Sequence, residues 1–272
     1  CRESSRMPEL IDLSGHVEEG QPLAGSADDT RIFTTLTHEE RGFQVKKELE
    51  EKGLDSETEY VTRHLRAERE GYDEEQPMNR TLLVSEHGPT HVDSIDHLDP
   101  TSELSIDEMP LDWFYGPAIC LDLSDVTYPD PITVGDLEAA LDAADEAVEE
   151  DDTVLLETGN RRNNYSIEDR EKKHRYESEF VGLDEAAGEF LVDHGAKAIG
   201  IDSISVDHPA NIYPNYDFPI HALCSREEIV IYENMANLWK VTGERFTISA
   251  FPLKIRDGTG SPIRPVAIRD DE

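Results

Sequence analysis

The sequence predicts an α/β fold, a mixed sheet with flanking helices, because strand-like and helix-like segments alternate along it. In the clearest unit, Thr153–Glu157 is typical of a strand, Leu183–His194 of an amphipathic helix, and Lys197–Asp202 of the next strand. This order favours parallel pairing of the two strands. Thr133–Asp136 resembles a capping box, which predicts a helix that continues to about Val148.

Apolar runs bounded by Pro and Gly predict six further strands. They are residues 10–14, 80–86, 118–123, 228–232, 246–251 and 263–268. Residues 160–179 are polar and basic, and we expect a loop and a short salt-bridged helix there. The alternative is that these basic residues attract an anionic substrate. Residues 37–76 combine dense charge with helical spacing, which indicates a helical insertion. We expect one domain over residues 7–272.

Composition excludes several classes of function. With 61 acidic and 25 basic side chains the net charge is -36, which would repel the phosphates of nucleic acids and of anionic membranes. The acidic bias extends over the whole chain, and we interpret it as adaptation to a cytoplasm of molar salt. No apolar run approaches the roughly 20 residues that cross a bilayer, so we expect a cytoplasmic protein.

The three cysteines indicate neither a disulfide framework nor a thiolate metal site, because they are scattered and lack CxxC spacing. We expect Cys120 and Cys224 to be small core residues.

Histidines cluster in one short segment, His87-Gly-Pro-Thr-His91-Val-Asp93-Ser-Ile-Asp-His97. Gly88 and Pro89 make a continuous helix improbable, so we expect a tight turn followed by an extended piece. Side chains two apart in an extended chain point the same way, which brings His91 and Asp93 together. Two imidazoles and a carboxylate are ligands that Zn²⁺ or Mn²⁺ prefers. From the spacing alone, ordinary polar turn residues are an equal alternative.

The segment resembles the His-x-Gly-Thr-His-x-Asp-x-Pro-x-His signature of the cyclase family, which includes bacterial-type kynurenine formamidases and isatin hydrolase. The resemblance continues in order along the chain. It includes residues 11–14, 116–123, 155–159, 198–205, 221–233, 252–255 and 260–268.

The resemblance implies a swivelling β/β/α fold and a metal centre built from distant parts of the chain. His87, His91 and Asp93 match the family's first ligand group, and His221 and Glu233 match its second. It further implies one or two divalent ions per chain, Zn²⁺ or Mn²⁺, and a homodimer or higher assembly.

His97 matches the family histidine that acts as general acid or base. The implied reaction is hydrolysis of a formyl amide, a cyclic amide or a lactone by metal-bound hydroxide. Two other functions stay open: a cyclase or lyase that acts through an enolate, and an inactive metal-binding protein. The substrate is expected to be a small molecule.

The sequence departs from the family pattern at three places. Pro89 replaces the usual Gly, Ile95 replaces the usual Pro, and Gln21–Gly25 lacks the aromatic residue of the segment that lines the family's substrate pocket. The last departure argues against an aryl formamide as the substrate. Nearby aromatic side chains could form other pocket walls, or could simply belong to the core: Trp113, Phe114, Tyr115, Tyr176 and Phe180.

Overall fold

The computed structural model describes residues 7–22, 30–36, 47, 51, 79–97, 99, 101–213 and 215–269. The chain divides into two compact units, residues 30–83 and the remainder. The predicted helical insertion at 37–76 lies outside the described residues, except for positions 47 and 51. A single domain over 7–272 therefore stays a prediction.

The described strands are, in chain order, β1 (Glu9–Asp12), β2 (Arg31–Leu36), β3 (Asn79–Leu83), β4 (His91–Asp93), β5 (Tyr115–Asp122), β6 (Thr153–Glu157), β7 (Ala198–Ile201), β8 (Val230–Glu233), β9 (Arg245–Ser249), β10 (Gly260–Pro262) and β11 (Val266–Arg269). Strands β2 and β3 pair antiparallel within the smaller unit. The other nine form one mixed sheet in the order β1-β11-β9-β5-β6-β7-β8-β4-β10. Strands β5 to β8 are parallel, and β4 joins β8 antiparallel.

The described helices of at least four residues are α1 (Val134–Ala144), α2 (Asn160–Asn164), α3 (Arg170–Ser178), α4 (Glu185–Asp193), α5 (Pro209–Ile212) and α6 (Pro219–Glu227). Buried residues of α1, α4 and α6 pack against one face of the sheet and form one core layer. A second layer covers the opposite face and includes Leu155, Tyr232, Met235 and Leu238. Alternate residues of each strand enter alternate layers, as the pleat requires.

The predicted strand, helix and strand at 153–202 are confirmed as β6, α4 and β7. Helix α4 begins after Asp184, whose carboxylate accepts a hydrogen bond from the Ala187 amide at 2.8 Å. The capping box of α1 is also present, between Thr133 and Asp136. This helix ends at Ala144 rather than near Val148, because Asp145 adopts a left-handed conformation with φ of 55°.

The six further predicted strands are all present, with shifted boundaries, and those predicted over 10–14, 80–86, 118–123 and 246–251 are β1, β3, β5 and β9. The strand predicted over 228–232 is β8, which begins at Val230 because Glu228 is the left-handed C-cap of α6. The strand predicted over 263–268 is β11, and a separate short strand, β10, precedes it. The polar stretch 160–179 contains two short helices, α2 and α3, rather than one. Both Cys120 and Cys224 are buried, as expected. None of the described helices has the length and apolar character needed to span a bilayer.

Candidate metal centre

Strands β4 and β8 supply three polar side chains at one end of the sheet. His91 lies opposite Glu233 in the antiparallel register, and Asp93 lies two residues further along β4 on the same face. All three are buried. The Nε2 atom of His91 lies 3.3 Å from Oδ1 of Asp93 and 3.5 Å from Oε2 of Glu233. The strand alternation predicted for His91 and Asp93 therefore produces a compact group of one imidazole and two carboxylates.

Helix α6 brings a second imidazole to the same carboxylates. Its residue His221 places Nε2 3.5 Å from Oδ2 of Asp93 and 3.3 Å from Oε1 of Glu233. The other ring nitrogen, Nδ1, lies 2.6 Å from Oδ2 of Asp207. Asp207 also accepts hydrogen bonds from the amides of Ile220 at 2.8 Å and His221 at 3.2 Å. Asp207 thus caps the start of α6 and fixes the orientation of the His221 ring.

A third imidazole, His87, lies at the edge of the group. Its Nδ1 is 2.7 Å from Oδ1 of Asp93, and its Nε2 is 2.9 Å from Oγ1 of Thr259. Thr259 is held in turn by the Glu86 carboxylate, which accepts from its amide and its hydroxyl. A side chain at Gly260 would come within 2.7 Å of the His87 ring. Because Gly260 has no Cβ, the His87 ring can occupy this position.

His97 lies beside these imidazoles at the end of a short 3₁₀ helix, Ile95–His97. Its ring centroid is 4.0 Å from that of His87 and 6.1 Å from that of His221. A cavity lined by Asp93, His97 and His221 leaves about 10 Å³ for the centre of a water molecule, which is room for one water. His97 therefore lies within reach of the group without belonging to the two strands that form it.

The charges of the group favour a cation. Burial opposes charge on His91, yet Asp93 and Glu233 outweigh it and raise the pKa of His91. Burial also opposes charge on His221, but hydrogen bonds from its ring, first of all to Asp207, raise the pKa of His221 well above its usual value. His97 behaves in the opposite way, because burial lowers its pKa to about 4. It is therefore neutral near pH 7 and can accept a proton.

The donor atoms fit a divalent ion. Neighbouring ligands about 2.1 Å from a tetrahedral ion lie about 3.4 Å apart, and Nε2 of His91 lies 3.3 Å from one Asp93 oxygen and 3.5 Å from one Glu233 oxygen. His221 lies 3.5 Å and 3.3 Å from the other oxygen of each of these carboxylates. Among the described residues, Oδ2 of Asp93 is buried and lacks a hydrogen-bond partner. Because a buried carboxylate without compensation is costly, an ion is the natural partner of this oxygen.

The structure brings together all six residues that sequence analysis singled out, His87, His91, Asp93, His97, His221 and Glu233. The sequence motifs did not indicate a role for Asp207 or Thr259. Asp207 lies 14 residues before His221, so no local spacing pattern indicated their contact. The Thr90 hydroxyl donates to the Asn234 carbonyl at 2.6 Å and thus ties the segment before His91 to the one after Glu233.

A family model and several known proteins match this chain. A family model described as "Putative cyclase" matches residues 11–208, a range that includes the first ligand group and His97 but ends before His221 and Glu233. The isatin hydrolase of Roseibium aggregatum is 27% identical over 207 residues, 69% of this chain and 73% of that protein. The kynurenine formamidase of Salinibacter ruber is 29% identical over 203 residues, 74% of this chain and 84% of that protein.

Solved structures share the fold. An isatin hydrolase bound to the product analogue thioisatinate superposes with a TM-score of 0.74 at 19% identity, over 97% of this chain and 94% of that one. A structure described as a potential metal-dependent hydrolase with cyclase activity gives a TM-score of 0.64 at 19% identity, over 97% and 99% of the two chains. The predicted α/β fold of this type is therefore confirmed.

Proposed function

This chain belongs to the putative cyclase family, and from that premise we propose that it is a metal-dependent hydrolase that cleaves a formyl amide, a cyclic amide or a lactone. The observation that carries the proposal is the buried group formed by His91, Asp93, His221 and Glu233, with His97 beside it. The relatives named for isatin and kynurenine chemistry support an amide or lactone as the bond that is cleaved.

In this proposal His87, His91, Asp93, His221 and Glu233 hold the ion, Zn²⁺ or Mn²⁺. The donor atoms of His91, Asp93 and Glu233 lie close enough together to hold one ion, and a second set joins His87 and Asp93 with His97. Because we assign proton transfer to His97, the proposal does not use the second set, and two ions per chain stay a prediction from the sequence. When bound, such an ion supplies hydroxide at neutral pH and polarises the carbonyl under attack. Assembly as a homodimer or higher oligomer, location in the cytoplasm and adaptation to high salt stay predictions from the sequence.

The chain's own groups then move the proton. His97 is neutral near pH 7, so its ring first accepts a proton released at the site and then donates it to the leaving nitrogen or oxygen. Asp207 holds the Nδ1 hydrogen of His221, which leaves Nε2 of that ring to face the two carboxylates. Burial of the group excludes bulk water from these atoms.

The test compares His97→Ala with the unaltered protein after both are stripped by a chelator and reloaded with Zn²⁺ or Mn²⁺. Isatin, an aryl formamide and an aryl lactone serve as substrates. We expect near-normal metal content and a loss of about 10²- to 10⁴-fold in turnover, the usual contribution of a positioned acid or base. Substrates with better leaving groups need less proton donation, so they should partly rescue the variant.

Two results would contradict the proposal. Loss of metal from His97→Ala would make this residue a ligand rather than an acid or base. A deuterium isotope effect at a carbon next to the carbonyl, without rescue by a better leaving group, would identify an enolate-forming lyase instead of a hydrolase.

A further inference from the structure

A second cavity lies on the opposite face of the sheet from the metal centre. Along β6, Leu156 packs in the helix-covered layer and Leu155 in the other, so Glu157 shares the face of Leu155. Along β8, Ile231 packs in the helix-covered layer, and Glu233 shares its face. The cavity that Glu157 lines has a volume of about 180 Å³ and is therefore separate from the centre to which Glu233 belongs.

One carboxylate oxygen in this cavity is buried and lacks a partner. Glu157 is only 2% exposed, and within the described parts of the chain nothing donates a hydrogen bond to its Oε1. The Trp239 amide donates to the same carboxylate. The nearest cation, Nη2 of Arg162, lies 3.8 Å from Oε1, which is too far for a hydrogen bond. A buried carboxylate oxygen without a hydrogen-bond partner favours a ligand that donates a hydrogen bond to it.

The walls carry both charges and an aromatic surface. The Asp202 carboxylate accepts hydrogen bonds from the amide and hydroxyl of Thr158 and from the Arg161 amide. Unlike Glu157, it therefore has protein donors for both of its oxygens. The Arg161 guanidinium stacks over the Tyr165 ring and donates to the Asn234 carbonyl.

Arg162 is half-exposed, and over the described ranges its recorded ion pair is the long one with Glu157. The remaining wall includes the partly exposed Trp239.

From this arrangement we propose that the cavity binds a small zwitterion of the amino-acid class, with its ammonium on Glu157, its carboxylate on Arg162 and its apolar side chain against Trp239. A bare metal cation would face two guanidinium groups, and a simple anion would face two carboxylates. A ligand that carries both charges matches both walls. The volume suits a molecule smaller than a typical drug.

Ionisation of Glu157 gives the site a measurable signature. Burial and the neighbouring Asp202 raise the pKa of Glu157 to about 8, so the free protein carries a proton there at neutral pH. An ammonium group favours the charged carboxylate, and ligand binding therefore releases a proton. Binding heats measured in two buffers with different ionisation enthalpies report this release.

The experiment is calorimetric titration of the metal-loaded protein with L-leucine at pH 7. The matched probes are 3-methylbutylamine, which lacks the carboxylate, and 4-methylpentanoate, which lacks the ammonium. We expect leucine to bind with proton release and each single-charge probe to bind at least tenfold more weakly. Glu157→Gln and Arg162→Gln should each weaken leucine binding at least tenfold. Glu189→Gln, an exposed change on α4, should leave it unchanged.

Arg162 is on the surface side of the cavity, so its replacement tests the proposal even where the buried Glu157 variant folds poorly. Three results would overturn the proposal: no binding of leucine, equal binding of the amine alone, or unchanged leucine affinity in Arg162→Gln. Equal binding of K⁺ or ammonium ion would identify a cation site instead.

Discussion

The orienting role of Asp207 leads to a prediction whose size can be worked out from its contacts. Its Oδ1 accepts from the Ile220 amide, and its Oδ2 accepts from the amide and the ring Nδ1 of His221. In Asp207→Asn one of these oxygens becomes an NH₂ group, which cannot accept. Whichever way the amide turns, either the His221 ring or the first amide of α6 loses its acceptor.

The expected loss follows from two independent estimates. A hydrogen bond to a charged acceptor contributes about 1.5 to 3 kcal/mol. Partners that orient a histidine ligand typically change metal affinity by about 10- to 100-fold, which is about 1.4 to 2.8 kcal/mol. Because the two ranges overlap, we expect Asp207→Asn to bind Zn²⁺ about 10- to 100-fold more weakly, as measured by competition with a chromophoric chelator.

Asp184→Asn is the matched control, because Asp184 caps α4 and the bond recorded for its carboxylate is to a backbone amide. Asn caps a helix about as well as Asp, so this variant should keep its metal affinity and its melting temperature. The reasoning is refuted if Asp207→Asn binds Zn²⁺ as tightly as the unaltered protein, or if both variants lose affinity equally.

Three further outcomes are expected. His91→Ala should lose metal and activity together, as measured by metal analysis and turnover, whereas the exposed His174→Ala should keep both; retention of metal by the His91 variant would contradict the assigned centre. Gly260→Ala should displace the His87 ring and lower metal affinity, while Gly116→Ala, which meets no atom within 4 Å, should not; equal affinity in both would show that the ring position is unimportant. The melting temperature should rise as KCl increases from about 0.1 M to 1 M, because the Debye length falls from about 10 Å to 3 Å and the charge of -36 is screened; a flat or falling curve would exclude salt adaptation.

The sequence predicted the first part of the site because its residues are close together along the chain. The alternation of an extended segment was enough to bring His91 and Asp93 to one face. His221 and Glu233 could be assigned only through the family resemblance, since periodicity does not reveal which distant strands become neighbours. The pairing of β4 with β8, which sets His91 opposite Glu233, depends on the tertiary fold and not on local sequence.

Element boundaries were less predictable than the elements themselves. Asp145 and Glu228 end α1 and α6 in left-handed conformations, although neither is a glycine. Local propensity therefore gave no stop signal at either position. Arg161 illustrates another limit. The sequence placed it in a salt-bridged surface stretch, yet it donates to the Asn234 carbonyl next to Glu233, a contact that depends on the packing of α2 against the segment after β8.

The position of the centre near the end of the sheet has a mechanical consequence. Strands β4 and β10 are the last two in the order and have three residues each, so few ladder bonds hold this margin. An ion bound by residues of β4, β8 and α6 would cross-link this margin of the sheet to segments that are far away in the chain. Removing the metal should therefore loosen the margin first. Amide hydrogen exchange at positions 91–93, 260 and 261 would accelerate on chelation while β5 to β7 stay protected.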